Sequence, residues 1–148
     1  MKKLILTLLA CLLLAGIAGA DDWHATNQVT VRWDAVTTLI DDRPIPEGDV
    51  VTYSVYTRSV QSGAEVLAVP DISVVETSVT FIEEGDYHIG VRAIRTVPPV
   101  GEIPERVFYR TIGWSDDPLI VKDGVTFGVS HYVALSNIGG LEMDPPQI

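Results

Sequence analysis

The chain has 148 residues and carries 20 acidic side chains against 10 basic ones, for a net charge of −10 at pH 7. A chain of this length can bury the core of one domain but is too short for two ordinary ones. The acidic balance argues against nucleic acid as a partner, because binding to phosphate requires a basic face.

The first twenty residues have the features of a secretory leader. Lys2 and Lys3 precede the apolar run 4–17, and Ala18-Gly19-Ala20 presents small residues at the position that a signal peptidase cleaves. The apolar run is short for a membrane-spanning helix, which needs about 20 residues. We therefore expect residues 1–20 to be a signal peptide and the protein to be exported, periplasmic or secreted, with no transmembrane helix after cleavage.

An alternative interpretation of the leader centres on Cys11. The sequence Leu8-Leu9-Ala10-Cys11 is close to the pattern before the acylated cysteine of bacterial lipoproteins, although only about seven apolar residues come first. Anchoring through Cys11 is thus the alternative to cleavage after Ala20. Cleavage after Ala20 would leave a mature chain without cysteine, which excludes a disulfide and a cysteine-based metal site.

Beyond the leader, apolar and polar residues alternate and helical periodicity is missing. Alternating segments rich in β-branched and aromatic residues occur at 29–33, 53–58 and 87–93. Turn signals separate them, at 42–49, 62–63, 70–71 and 84–86. Short strands at this spacing predict an all-β domain over residues 21–118, an antiparallel sandwich of about seven strands.

Several aromatic residues follow one another in a recognisable order. They are Trp33, Tyr53 with Val55, Phe81 six residues before Tyr87, and Trp114 in Trp114-Ser115-Asp116-Asp117-Pro118. Over residues 25–118 this order resembles a fibronectin type III domain, an immunoglobulin-like fold. The resemblance implies a structural core that contains Trp33, Tyr53, Phe81, Tyr87 and Trp114. It also implies that the Tyr87 hydroxyl bonds the backbone of the connection before its strand.

Two features depart from the family pattern. Glu84 replaces the proline of the corner turn. The stretch 95–113 exceeds the usual connection, and we expect it to form a protruding two-stranded ribbon with Pro98-Pro99 near its tip.

The segment 119–148 lies partly outside the resemblance. Apolar residues alternate over 125–133, which predicts one strand, either the last strand of the sandwich or an added edge strand. Gly139-Gly140 and Pro145-Pro146 indicate an irregular end. A domain followed by a short strand and a Pro-rich end is similar to small exported modules of bacteria and their phages.

Catalytic and metal-binding patterns are missing from the sequence. The histidines are His24, His88 and His131, and no nucleophile-elbow motif accompanies them. We expect His88 to lie on a sheet surface. The acidic doublets, such as Asp41-Asp42, lack the spacing of a calcium loop and are expected to be solvated turn residues. We predict no catalytic residue, no metal site and no cofactor.

The few arginines are expected to share one outer face with aromatic side chains. The candidate ligand-binding residues are Tyr56, Arg58, Arg92, Arg106, Phe108 and Arg110. This composition is typical of recognition surfaces, although arginines also cover sheets and pair with carboxylates.

The sequence thus predicts a non-enzymatic binding or spacer module whose ligand is a protein or an anionic surface glycan. One alternative is a structural subunit of a surface or phage-related assembly, joined through an edge strand near 125–133. The other is a small hydrolase, for which no motif assigns the roles.

Overall fold

The structure is a computed structural model that describes residues 22–135. The expected signal peptide, Cys11 and the predicted irregular end beyond Ser136 lie outside the described residues. The described part is almost entirely β-structure, with one short 3-10 helix at Lys122–Gly124. Its strands are β1 (Asp22–Ala25), β2 (Gln28–Arg32), β3 (Val50–Ser59), β4 (Glu65–Ile72), β5 (Glu76–Thr80), β6 (Gly85–Val97), β7 (Arg106–Tyr109), β8 (Gly113–Trp114) and β9 (Phe127–His131).

The strands form two sheets of unequal size. The larger sheet has the order β1-β9-β6-β3-β4, and β7 and β8 also pair with β6. The smaller sheet consists of β2 and β5. Val31 and Val79 of the small sheet pack in one buried cluster with Val55, Ile89 and Val129 of the large sheet. The prediction of an all-β, sandwich-like fold is therefore confirmed. We call the face of the large sheet toward β2 and β5 its inner face, and the opposite face its outer face.

One strand pair departs from the predicted antiparallel arrangement. β1 runs parallel to β9, with Asp22 opposite Phe127 and Ala25 opposite Ser130. The two strands are about 100 residues apart in the chain, so no short turn fixes their relative direction, as a hairpin would.

The predicted C-terminal strand lies inside the large sheet. β9 has β1 on one side and β6 on the other, and Val129 in its centre is fully buried. The segment therefore completes the sandwich and is not an edge strand.

Four of the five predicted core aromatics lie in or against the core. Phe81 and Tyr53 are buried, and Trp33 packs 5.4 Å from the Tyr53 ring. Tyr87 packs 5.0 Å from Phe81, and its hydroxyl donates a hydrogen bond of 3.2 Å to the carbonyl of Glu83, as expected for a corner tyrosine. The fifth prediction was wrong, because Trp114 pairs with Gly90 and its ring lies on the outer face of the sheet.

The predicted ribbon is confirmed as the hairpin of β6 and β7. Val97 pairs with Arg106 and Ile94 with Tyr109, and the connection between them contains Pro98-Pro99 and a bridge between Val100 and Ile103.

Candidate functional site

The six predicted binding residues do not share one face. Tyr56, Arg58 and Arg92 lie on the outer face, because they alternate with the core residues Val55 and Ile89. The other three, Arg106, Phe108 and Arg110, lie on the inner face of the ribbon, since Phe108 pairs with Arg95 and the Arg110 N–H donates to the Ala93 carbonyl. The register pairs even-numbered residues of β6 with odd-numbered ones of β7, and this corrects the prediction of one shared face.

On the outer face, arginine side chains stack against aromatic rings. The Arg58 guanidinium lies 4.3 Å from the Trp114 ring centre and 2.6 Å from an Asp116 carboxylate oxygen. The Arg92 guanidinium lies 5.3 Å from the Tyr56 ring and 5.9 Å from the Tyr109 ring. Arg58 is thus neutralised within the protein, whereas Arg92 contacts rings only.

His88 lies on the same face but is not a surface residue. It is 8% exposed because the Trp23 ring of β1 covers it at a centroid distance of 5.3 Å. Its Nδ1 lies 3.3 Å from the Phe127 carbonyl, and its Nε2 lies 3.9 Å from Asp116. The expectation of a solvent-facing His88 was wrong, since it took no account of the Trp23 side chain, which β1 places over the outer face.

On the inner face, a cleft of about 540 Å³ opens beside the ribbon. We call it the ribbon cleft. Val51 of β3 and Ala93 of β6 form its floor, since both lie on the inner face and no residue of β2 or β5 lines the cleft. Phe108 and Arg110 form one wall. Apolar side chains of the connection between β2 and β3 form the other wall, namely Val36, Leu39, Ile40 and Ile45.

The second wall is a small hairpin over residues 37–45 that is fixed at both ends. Thr38 bridges to Pro44, and the Leu39 N–H donates to the Arg43 carbonyl at 2.7 Å. Before the hairpin, the Val36 N–H donates to the Tyr53 hydroxyl at 2.8 Å. After it, the 5% exposed carboxylate of Asp49 accepts from Arg95 at 2.5 and 2.6 Å. These contacts keep the wall at a fixed distance from the floor.

The basic side chains fall into two groups by their partners. Arg32, Arg43, Arg58 and Arg95 each pair with a carboxylate. The side chains of Arg92, Arg106, Arg110 and Lys122 form no ion pair or hydrogen bond within residues 22–135. The Nε atom of Arg92 is buried and has no hydrogen-bond acceptor among the described residues. Three of these four cations lie in or next to the ribbon: Arg106, Arg110 and, just before it on β6, Arg92.

The described residues hold no group of three or more His, Cys, Asp or Glu side chains that is arranged for a metal ion. No helix between residues 22 and 135 is long and apolar enough to cross a membrane. The candidate site within residues 22–135 consists of the ribbon cleft and the unpaired arginines.

Comparison with known proteins identified no relative. No family model matches the chain, and no curated protein or solved structure matches it.

One wall of the cleft was missed at the level of sequence. The sequence pattern predicts a turn over 42–49, and the apolar residues Leu39 and Ile40 before it, and Ile45 within it, were not considered for a site. Apolar residues inside a turn-rich segment were the available signal.

Proposed function

We propose that the protein is an exported, non-enzymatic binding module of the fibronectin type III kind that binds an anionic ligand through its β6–β7 ribbon. The observation that carries the proposal is the set of unpaired cations on the ribbon and at its base. In an acidic protein, most arginines find a carboxylate, as Arg32, Arg43, Arg58 and Arg95 do. Arg106 and Arg110 on the inner face of the ribbon do not, and neither does Arg92 on the outer face, so no carboxylate within residues 22–135 neutralises these three charges.

Two features support the assignment to the fibronectin type III kind. β2 and β5 form one sheet and β3, β4 and β6 belong to the other, as in a two-sheet sandwich. Tyr87 has the contacts of a corner tyrosine, with its ring against Phe81 and its hydroxyl on the Glu83 carbonyl. Fold alone does not define function, so the binding role rests on the arginines.

Binding of two anionic probes tests the proposal. A sulfated polysaccharide and polyglutamate are titrated against the mature protein and against a variant with Arg92→Ser, Arg106→Ser and Arg110→Ser. Because a charge-assisted hydrogen bond contributes about 1.5–3 kcal/mol, we expect the triple variant to bind its preferred probe at least about tenfold more weakly. Wild-type affinity should fall with added salt.

The matched control is Arg32→Ser, which removes an exposed arginine of β2 that already pairs with Glu76. This variant should bind like the wild type. Unchanged binding by the triple variant, or no binding of either probe by the wild type, would contradict the proposal.

The alternative of a structural subunit has one observation in its favour. The small sheet contains two strands, so β2 and β5 each have one edge without a partner strand in the described part of the chain. An unpaired edge can accept a strand from another chain. Light scattering separates the two functions, because a binding module stays monomeric without its ligand whereas an assembly subunit forms higher-order species as its concentration rises.

Export is a separate part of the proposal. An intact mass that begins at Asp21 would support a periplasmic or secreted protein, whereas a lipid-modified chain that begins at Cys11 would support an anchored one.

A further inference from the structure

The ribbon cleft combines an apolar interior with a cationic rim. Its floor and far wall are aliphatic, with Val51 and Ala93 below and Leu39 and Ile45 beside them. Phe108 adds an aromatic ring that is 49% exposed. A volume of about 540 Å³ lies within the range of clefts that hold ligands.

The lining favours a polypeptide over a sugar. Sugar hydroxyls need hydrogen-bond partners, and an aliphatic floor leaves them without any. Besides Arg110, the lining contains the cations Arg43 and Arg95, which already form ion pairs with Asp41 and Asp49. A leucine or phenylalanine side chain would instead exclude water from the same surface.

The spacing of three side chains along the ribbon matches an extended chain. Arg106 and Phe108 of β7 and Arg110 directly after it follow at intervals of two residues on the inner face, so neighbouring members lie about 7 Å apart. Phe108 and Arg110 line the cleft, and Arg106 is the next residue of this face along the strand. A partner chain in β-conformation repeats its side chains at the same interval. Carboxylates on both sides of an apolar residue would therefore face the two arginines while the apolar residue faces Phe108.

We infer that the ribbon cleft binds an extended acidic segment of another protein, of the pattern Glu-x-apolar-x-Glu. The inference rests on the proposed function and specifies its ligand. The apolar side chain enters the cleft beside Phe108, and the two carboxylates pair with Arg106 and Arg110.

Fluorescence polarisation with a labelled peptide that contains Glu-Ser-Leu-Ser-Glu tests the inference. A second peptide replaces the leucine with serine, and a third replaces both glutamates with glutamine. Because burial of a leucine and each charged hydrogen bond both contribute to affinity, we expect each replacement to weaken binding at least about tenfold.

Two variants of the protein locate the contact. Phe108→Ser removes an exposed wall residue and should bind the leucine peptide at least about tenfold more weakly, with an unchanged unfolding midpoint. Ala93→Leu fills the floor and should abolish the preference for leucine over serine. The matched control is Val107→Ser, on the opposite face of the same strand and 41% exposed, which should bind like the wild type.

The outcomes separate this inference from the proposed function. Equal affinity for the leucine and serine peptides would overturn the peptide inference. An equal loss of affinity in Val107→Ser and Phe108→Ser would overturn it as well. In either case, binding of the anionic probes that depends on the arginines would still support the proposed function. Probe binding that does not depend on the arginines would overturn both.

Discussion

Gly90 shows how one missing side chain organises the outer face. A Cβ at this position would lie 2.4 Å from Ile112 Cγ2 and 2.7 Å from the Trp114 ring. The absence of that atom lets the Trp114 ring pack against β6 at Gly90, and the guanidinium of Arg58 stacks on this ring. The glycine is needed here for close approach and not for an unusual backbone angle.

Gly90→Ala should therefore destabilise the protein by about 2 kcal/mol, because the added methyl group overpacks the contact. Urea unfolding followed by circular dichroism measures the change. Gly113→Ala is the control, since its Cβ would meet Ile120 Cγ2 at 2.9 Å and this side chain, 58% exposed, can turn away. An equal or larger loss at Gly113 would contradict the explanation.

Asp41 and Arg43 form an ion pair on the wall of the cleft. The hydrogen bond from Arg43 lowers the pKa of Asp41 below its ordinary value of 3.8. Because the folded-state pKa is depressed, the stabilising contribution of the pair is present above pH 3.8 and is lost as the pH falls through the lowered pKa.

An NMR titration of the Asp41 carboxyl group should thus have its midpoint below 3.8 in the wild type, and close to that value in Arg43→Gln. Arg32→Gln, which removes an arginine paired elsewhere, should leave the midpoint of Asp41 unchanged. A midpoint at the ordinary value in the wild type would show that the pair does not form in solution.

At the scale of elements, β6 connects most of the large sheet. β9, β8 and β7 pair in turn with one edge of β6, at Gly85, Gly90 and Ile94 and the residues next to them, while β3 occupies the other edge. Its long run lets one strand belong both to the core and to the ribbon. The ribbon is thereby a continuation of a strand that also contributes to the buried core.

β9 contributes the fully buried Val129 to the core, so this strand should be required for the stability of the monomer. We expect Val129→Ala to lower the free energy of unfolding by about 2 kcal/mol through lost packing and a residual cavity. Val133→Ala, two residues beyond the strand and 67% exposed, should change it by less than about 0.5 kcal/mol. Similar effects at both positions would mean that 125–133 does not pack in the isolated protein.

At the scale of the whole molecule, pairings between distant parts of the chain hold the two sheets together. β1 and β9 pair although they lie near opposite ends of the described chain. β2 and β5 pair although they are about 50 residues apart in the sequence. No residue of the small sheet lines the ribbon cleft, and the connection between β2 and β3 forms its wall instead. The ribbon cleft thus depends on contacts between this connection and the large sheet.

The sequence by itself determined the features that depend on local patterns. Alternation with period two established the all-β fold, since it is a property of single strands. The order of aromatic residues placed Tyr53, Phe81 and Tyr87 in or against the core, and the length of 95–113 indicated the ribbon. Local patterns also predicted that Arg106, Phe108 and Arg110 share one face of the ribbon.

Only the tertiary structure decided how those faces combine. The register between β6 and β7 put Arg92 on one side of the ribbon and Arg106 on the other, and a shift of one residue would have reversed this. The parallel pairing of β1 with β9 buried His88 under Trp23. Register and strand partners depend on contacts between distant residues, and no local periodicity contains that information.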